Sequence, residues 1–438
     1  MRGEITASNL NQTLWRLVYP NIVTLLFQQG FGFVEGLIVS LRSTKDLSIL
    51  SIGFPFVMVI TNMAYAWGVG TNSLTSRLLG EGKGRTEDNI LLTSSLFSLV
   101  FGLVLAIAII IAVPLILPLS GVSAEVIAQT RLYLLPYILG VPVIFLHSTG
   151  LSLLRGEGKM QVVAMLSIGT TIFNALLDVL FIRGFWFIPP LGVVGVGVGS
   201  ITAKLCATVT AYWFLLKGAD FVKQITPTHV KFIFKIAIPV GLAKSVQPLA
   251  VMVLNGLLLQ LGQVTVAARG LGTRIDQLLY LPAMFFTAAV ITLIANLRGA
   301  GRPDLIRLTV RRLYLVIIGL SSLLTALFLL WPELLWDRVT QDRELMLAGY
   351  EYVRFFGWSY PLAALDIINN AILQGLGFGY PTLVVSAVRI WGIALPCSYL
   401  FGFTFNLGAT GVWLAFGLGN LVAFIASTYW VWRNVREV

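Results

Sequence analysis

Glu35 and Asp178 stand in stretches of sequence otherwise almost without charge, GFGFVEGLIVS and FNALLDVLFI. A charge at the middle of a bilayer costs about 2.5–3.5 kcal/mol on the insertion scale, so such a group is protonated, paired or facing water. Burial raises a carboxyl pKa, and a second carboxyl nearby raises one of the pair further. Two such groups in one helical bundle can therefore take up and release a proton near working pH. Asn174 lies four residues before Asp178, on the same helical face, with Thr170 and Thr171 about a turn earlier. Thr24, Gln28, Gly32 and Glu35 also fall along one face. An amide and a carboxylate on each of two helices offer oxygens to a cation or a hydrogen-bond network to a proton. If the cation is sodium, Glu35, Asp178 and Asn174 are the candidate metal ligands. The plainer reading is that Asp178 joins helices and Glu35 sits at the outer interface.

A second set lies later in the chain. Asp366, in ALDIINNAILQG, has Asn369 and Asn370 about a turn on, which makes it a candidate second cation or substrate site. Asp276, in GTRIDQLLYLP, is a further candidate for that second site, but Arg274 is close by in sequence, and a structural ion pair is its default reading. Lys204, Lys244 and Arg389 are basic residues inside or near apolar runs. They can snorkel toward a helix end, and Lys204 can instead pair with a bundle acid. His147, in VIFLHSTG, titrates near neutral pH when unperturbed, and a hydrogen-bonded packing residue is its plainer reading.

What must position these groups is a set of membrane helices. The chain has 438 residues, 57% of them hydrophobic and 11% charged, with a mean hydropathy of +0.88. Soluble domains carry about 25% charged residues. The apolar runs are long and continuous, which excludes a β-barrel and predicts an all-α integral membrane protein. Twelve runs lie near 12–41, 47–71, 90–119, 128–153, 160–186, 193–217, 231–260, 270–297, 311–333, 346–374, 381–403 and 408–433. The first is too long for a cleavable signal and lacks a small-residue cleavage site. The net charge of +11 sets orientation and does not recruit nucleic acid. Alternate loops concentrate Arg and Lys, among them Arg77, Lys83, Arg155, Lys159, Arg298 and Arg302, which places both termini in the cytoplasm. Cys206 and Cys397 both lie in apolar helix and read as inert core residues. No P-loop is present, which excludes transport driven by an ATPase domain on this chain; without an HExxH or Ser–His–Asp set a membrane-embedded enzyme is not the expected reading, and no cofactor is expected beyond a proton or sodium as coupling ion.

The runs are also written twice. LGVVGVGVGSITAKLCATVTAYWFLLK (191–217) returns as LGATGVWLAFGLGNLVAFIASTYWVWR (407–433). WRLVYPNIV around Pro20 matches FKIAIPVGL around Pro239. RLLGEGKGR matches NLRGAGRPD, and LSLLRGEGKMQVV matches AILQGLGFGYPTLVV. The division is an N-terminal six-helix bundle over 1–217, a linker over 218–230, and a C-terminal bundle over 231–438. Two similar halves in lipid point to a transporter that rocks around a shared site. Pro20 is then a candidate hinge, because a mid-helix proline removes a hydrogen bond and permits a bend; a static kink is the even alternative. The Gly-rich basic turns RLLGEGKGR and LRGEGK read as tight reversals rather than phosphate loops.

GVGTNSLTSRLLGEGKGR, LSLLRGEGK, FNALLDVLFI and NLRGAGRPD, in this order and on these runs, resemble the multidrug and toxic compound extrusion (MATE) family over about residues 12–433. Glu35, where that family usually has Asp, together with FNALLDVLFI looks most like its DinF-like branch. The resemblance implies two pseudo-symmetric six-helix bundles around a central cleft, and export of organic, often cationic compounds in exchange for protons or sodium. It also implies that Gln28, Glu35, Tyr133, Asn174 and Asp178 form the cation-coupling site of the N-terminal bundle. The implied partners are a small organic substrate and the bilayer of the plasma membrane; a monomer is the default working unit, since the two halves already build one pathway. The reading within transport that competes is a flippase for lipids or lipid-linked saccharides, which Lys204, Lys244 and Arg389 leave open.

Overall fold

Helices make up every regular element among the described residues, as lipid demands of apolar runs this long. The computed structural model describes residues 5–40, 44–83, 89–120, 122–184, 189–217, 225–333, 336 and 341–437, with side chains at all of these except 31–40, 44–48 and 119–120. The helices are α1 (Leu10–Ser40), α2 (Thr44–Gly80), α3 (Ile90–Ile116), α4 (Ala124–Leu139), α5 (Val141–Gly156), α6 (Met160–Arg183) and α7 (Val193–Leu216). They continue with α8 (Pro227–Leu261), α9 (Gln263–Gly299), α10 (Pro303–Leu330), α11 (Arg343–Phe356), α12 (Tyr360–Gly375), α13 (Tyr380–Thr404) and α14 (Gly408–Glu437). Each of the twelve predicted runs is occupied by helix. Among the described residues nine helices are long and apolar enough to cross a membrane, or ten with α4 and α5 taken as one span. Their outer faces expose large apolar side chains such as Ile107, Ile110 and Leu323, the pattern of a surface solvated by lipid.

Two runs that sequence treats as single spans are broken. α4 and α5 meet at Gly140 with a bend of 44°. Pro136 and Pro142 flank the break, and each lacks the N–H that would have continued the ladder. A Cβ at Gly140 would lie 2.4 Å from Ile201, so α7 presses on the corner. α11 and α12 are separated by a short 3-10 turn, Gly357–Ser359, before Pro361. α13 is interrupted differently, by π-helical windings at Val388–Ala394 and Leu400–Thr404. α2 is longer than expected: it runs through SLTSRLLG to Gly80, which places Arg77 in its last turn.

The repeated Gly motifs have one structural meaning. α2, α5, α9 and α12 all end in the same helix stop. Gly82, Gly158, Gly301 and Gly377 take φ of 80°, 77°, 64° and 83°. In each case the next amide reaches back five residues: Lys83 to Leu78, Lys159 to Leu154, Arg302 to Leu297 and Phe378 to Leu373, at 2.8–3.0 Å. This is the Schellman closure, in which a left-handed residue lets the chain reverse while satisfying the last carbonyls. The tight-turn reading of these motifs is therefore what the backbone shows.

The chain forms two compact units, Trp15–Gly241 and Leu242–Val438, the second joined by Ile5–Leu14. The first is centred on the buried Trp67, with Phe101 stacked on it at 5.6 Å and Phe234 edge-on at 5.2 Å. The second is centred on Tyr352, Trp413 and Trp336. There Tyr352 meets Trp413 at 4.9 Å, and Gly349 leaves the room that Trp336 fills.

Candidate functional site

Asp178 sits on α6 in the first unit and is 2% exposed. Asn174, one turn earlier on the same helix, donates its Nδ2 hydrogen to Asp178 Oδ2 at 2.5 Å. The other carboxylate oxygen faces α7. A Cβ at Gly199 would lie 2.5 Å from Asp178 Oδ1, and one at Gly195 would lie 2.8 Å from the Phe181 backbone. Gly195 and Gly199 are four apart and form one small-residue face, which lets α7 settle on α6. Gly197, on the opposite side, faces Pro136 and Tyr137 of α4. The Gly-rich opening of the repeat is thus the surface that closes over Asp178. Thr170 and Thr171 donate their hydroxyls to the carbonyls of Leu166 and Ser167 at 2.6 and 2.9 Å, so their lone pairs remain as acceptors.

The other predicted members of this site are placed as follows. Pro20 is buried inside α1, and Thr24 donates to the Pro20 carbonyl at 2.8 Å. Gln28 is exposed on α1. The side chain of Glu35 lies outside the described residues. Tyr133 is buried on α4, packed over Gly53 of α2 and 5.4 Å from the ring of Tyr137. Of the predicted set, Asn174 and Asp178 are the two brought into direct contact among the described side chains.

The second unit repeats the frame and changes the chemistry. Leu407 donates to the Phe401 carbonyl at 3.1 Å, as Leu191 does to Phe181 at 2.9 Å. A Cβ at Gly411 would strike the Phe401 backbone at 2.6 Å, as one at Gly195 would strike Phe181. Three residues before Phe181 is Asp178; three before Phe401 is Ser398, which is buried and donates to the Ala394 carbonyl at 2.6 Å. The titratable group belongs to the first unit alone at this place.

Acidic residues of the second unit lie elsewhere. Asp366 on α12 is buried, and its Oδ1 accepts no hydrogen bond. Asn370 turns its Nδ2 to the Asp366 backbone carbonyl at 2.9 Å, which leaves Asn370 Oδ1 buried and without a donor too. Arg389 on α13 acts on this carboxyl through its charge. Next to it, Asn369 accepts from the Tyr314 hydroxyl and donates to Ser427 and Thr428 at 3.0 and 2.9 Å. Buried carboxylate and amide oxygens without a donor are the ligand type that a hard cation takes. No three His, Cys, Asp or Glu side chains converge among the described residues. A sodium ion here would therefore draw on amide and hydroxyl oxygens besides one carboxylate.

Asp276 on α9 does form a buried ion pair, but its partner is Arg269 rather than Arg274. Arg269 Nη1 lies 3.2 Å from Asp276 Oδ2, while Arg274 is exposed. Tyr352 and Tyr360 donate to the same carboxylate at 2.8 and 2.6 Å. Tyr352 and Phe416 present ring faces to the guanidinium at 5.7 and 6.0 Å. Sequence reasoning missed Arg269, although seven residues are two helical turns and place it on the face of Asp276. The tyrosines come from 76 and 84 positions away, with no local signal. His147 on α5 also differs from expectation: its Nδ1 is buried without a hydrogen bond, and the charges of Lys204 and Arg155 act on it. Lys204 is half-buried on α7 and Lys244 is exposed on α8.

A protein-family model described as MatE matches the chain twice, over residues 20–180 and 239–400. An FAD transporter from Shewanella oneidensis is 24% identical over all of this chain and 98% of its own length. A probable multidrug resistance protein from Thermotoga maritima is 21% identical over 92% of this chain and 88% of its own. Among solved structures, a MOP superfamily transporter from Pyrococcus furiosus, described by the reverse polarity of its binding pocket, superposes with a TM-score of 0.89. It shares 21% identity, and the match covers 99% of both chains. An outward-facing multidrug resistance MATE family transporter superposes with a TM-score of 0.90 at 22% identity, covering 100% of this chain and 97% of that one. The two family matches fall one on each copy of the repeat.

Proposed function

The chain belongs to the MatE family, and on that footing we propose that it is a cation-coupled antiporter exporting amphipathic organic compounds, with the proton preferred over sodium. The observation that carries this reading is Asp178, buried on a lipid-embedded helix, held by Asn174 and roofed by Gly199. Loading that carboxyl with a proton removes a costly buried charge, and unloading restores it. A cation and a substrate that favour different arrangements of the halves then exchange by mutual bias. Glu35 is the second carboxyl of the site and Asp366 with Asn370 a second cation site. The multidrug resistance names of relatives from Thermotoga maritima and Pectobacterium atrosepticum support the organic-substrate class. In this reading the protein works as a monomer in the plasma membrane with both termini cytoplasmic, and Glu35 supports the DinF-like branch.

One observation favours a second reading, transport of an anionic amphiphile such as a lipid or lipid-linked saccharide. Lys204 and Arg155 direct positive charge toward the uncapped His147 in the first unit. The relative named for transporting FAD, an anion, points the same way. Proteoliposomes separate the two. Uptake of a fluorescent organic cation and of an anionic lipid analogue is measured under an imposed pH or sodium gradient, for wild type, Glu35→Gln and Asp178→Asn. Gradient-driven cation exchange that both neutral variants lose is the expected result. Unimpaired proton exchange in both variants rejects the coupling site, and transport of the anion alone selects the second reading.

A further inference from the structure

The second unit holds a cavity of about 820 Å³ between α10 and α14, with Leu365 of α12 in its wall; neither Asp366 nor Asp276 lines it. Arg307 and Arg311 from the first turns of α10, and Arg436 from the last turn of α14, line it. No acidic side chain of the described residues joins them in its wall. The nearest acids in sequence are engaged elsewhere: Asp304 pairs with Arg302 at 3.1 Å and Glu437 with Arg433 at 3.4 Å. Arg436 lies over the ring of Trp432 at 3.6 Å, which fixes its guanidinium at the cavity mouth. Deeper in, the wall is apolar, formed by Leu315, Ile318 and Phe424, with the polar atoms of Tyr314 and Thr428 between. Leu315 and Ile318 are exposed, so the apolar part opens sideways off the helices.

An amphiphile with an anionic head and long apolar tails meets both parts of this cavity at once. Guanidinium groups take phosphate oxygens in bidentate fashion, and basic pockets between helices at a membrane surface suit acidic headgroups. A free inorganic anion would leave the apolar wall unused. A zwitterionic headgroup would set its own cation against three arginines. We infer that this cavity is a binding site for an anionic phospholipid, its phosphate at Arg307, Arg311 and Arg436 and its acyl chains along Leu315 and Ile318. No coupling candidate lines the site, although Tyr314 and Thr428 of its wall also bond Asn369, and it does not depend on which substrate the protein carries.

The test uses the purified full chain in detergent, with binding read by native mass spectrometry. The probes are phosphatidylglycerol, phosphatidylcholine with the same acyl chains, and inorganic phosphate. Phosphatidylglycerol should bind at least about tenfold more tightly than phosphatidylcholine. Each of Arg307→Gln, Arg311→Gln and Arg436→Gln should weaken it about fivefold, and the triple variant on the order of a hundredfold. Arg343→Gln, a basic residue of the same unit outside the cavity, should leave binding unchanged. Ile318→Trp fills the acyl wall without touching a charge, and it should also weaken phosphatidylglycerol, which keeps the test decisive if the triple variant does not fold. Equal binding of the two lipids overturns the inference. So does full binding by the triple variant or by Ile318→Trp, an equal loss in Arg343→Gln, or displacement of the lipid by millimolar phosphate.

Discussion

Asp276→Asn isolates the ion pair that anchors the second unit. The two side chains are 15% and 9% exposed, so the Arg269 charge cannot recover its hydration when its partner is neutralised. Breaking a buried pair by removing one member costs about 3–5 kcal/mol. The amide also turns a donor toward hydroxyls that currently donate to the carboxylate. At about 2–4 °C per kcal/mol for a unit of roughly this size, the thermal midpoint should fall on the order of 10 °C. Adding Arg269→Met removes the orphaned charge, and most of the loss should return, because replacing a whole buried pair is often close to neutral. Glu81→Gln provides the contrast. Its pair with Arg77 is as short, 3.0 Å, but the side chains are 27% and 37% exposed, and the cost should stay below about 1 kcal/mol. The assay is thermal unfolding of the purified protein in detergent, arranged as a double-mutant cycle. A drop of less than about 1 kcal/mol for Asp276→Asn, or strict additivity in the double variant, would refute the reasoning.

Two further outcomes follow from the close approaches. Gly199→Ala places a methyl group 2.5 Å from Asp178 Oδ1 and 3.3 Å from the Asp178 backbone nitrogen, so the carboxylate must swing away and α7 must give by a few tenths of an ångström. Unfolding stability should fall by no more than about 1–3 kcal/mol, and proton-driven exchange in proteoliposomes should fall at least about tenfold per folded molecule; normal exchange would show that the carboxylate position is immaterial. Gly158→Ala and Gly301→Ala force a Cβ into left-handed backbone at φ of 77° and 64°. Each should cost about 1–2 kcal/mol in unfolding measurements, with Asn tolerated better than Ala and transport per folded molecule unchanged.

The sequence carried its strongest information where physics is local. Continuous apolar runs, the positions of Gly82, Gly158, Gly301 and Gly377, and the doubled motifs depend on residues close in the chain, so the placing of helix along the chain, the turns and the repeat were all legible. The Asn174–Asp178 contact was legible for the same reason, since four residues bring two side chains together on any helix. The breaks were less so: Pro136, Gly140 and Pro142 were in view, but the 44° bend also rests on the pressure of Ile201 from another helix.

What only the tertiary structure decided is which groups share a space. That Gly199 roofs Asp178, that Ser398 takes the matching place in the second unit, and that Arg269 rather than Arg274 neutralises Asp276 all depend on how helices pack. Tyr352 and Tyr360 complete the Asp276 cluster from 76 and 84 residues away. No spacing rule encodes such distances. They are fixed by the requirement that every buried charge in lipid find its partners, and that requirement acts across the whole unit rather than along the chain.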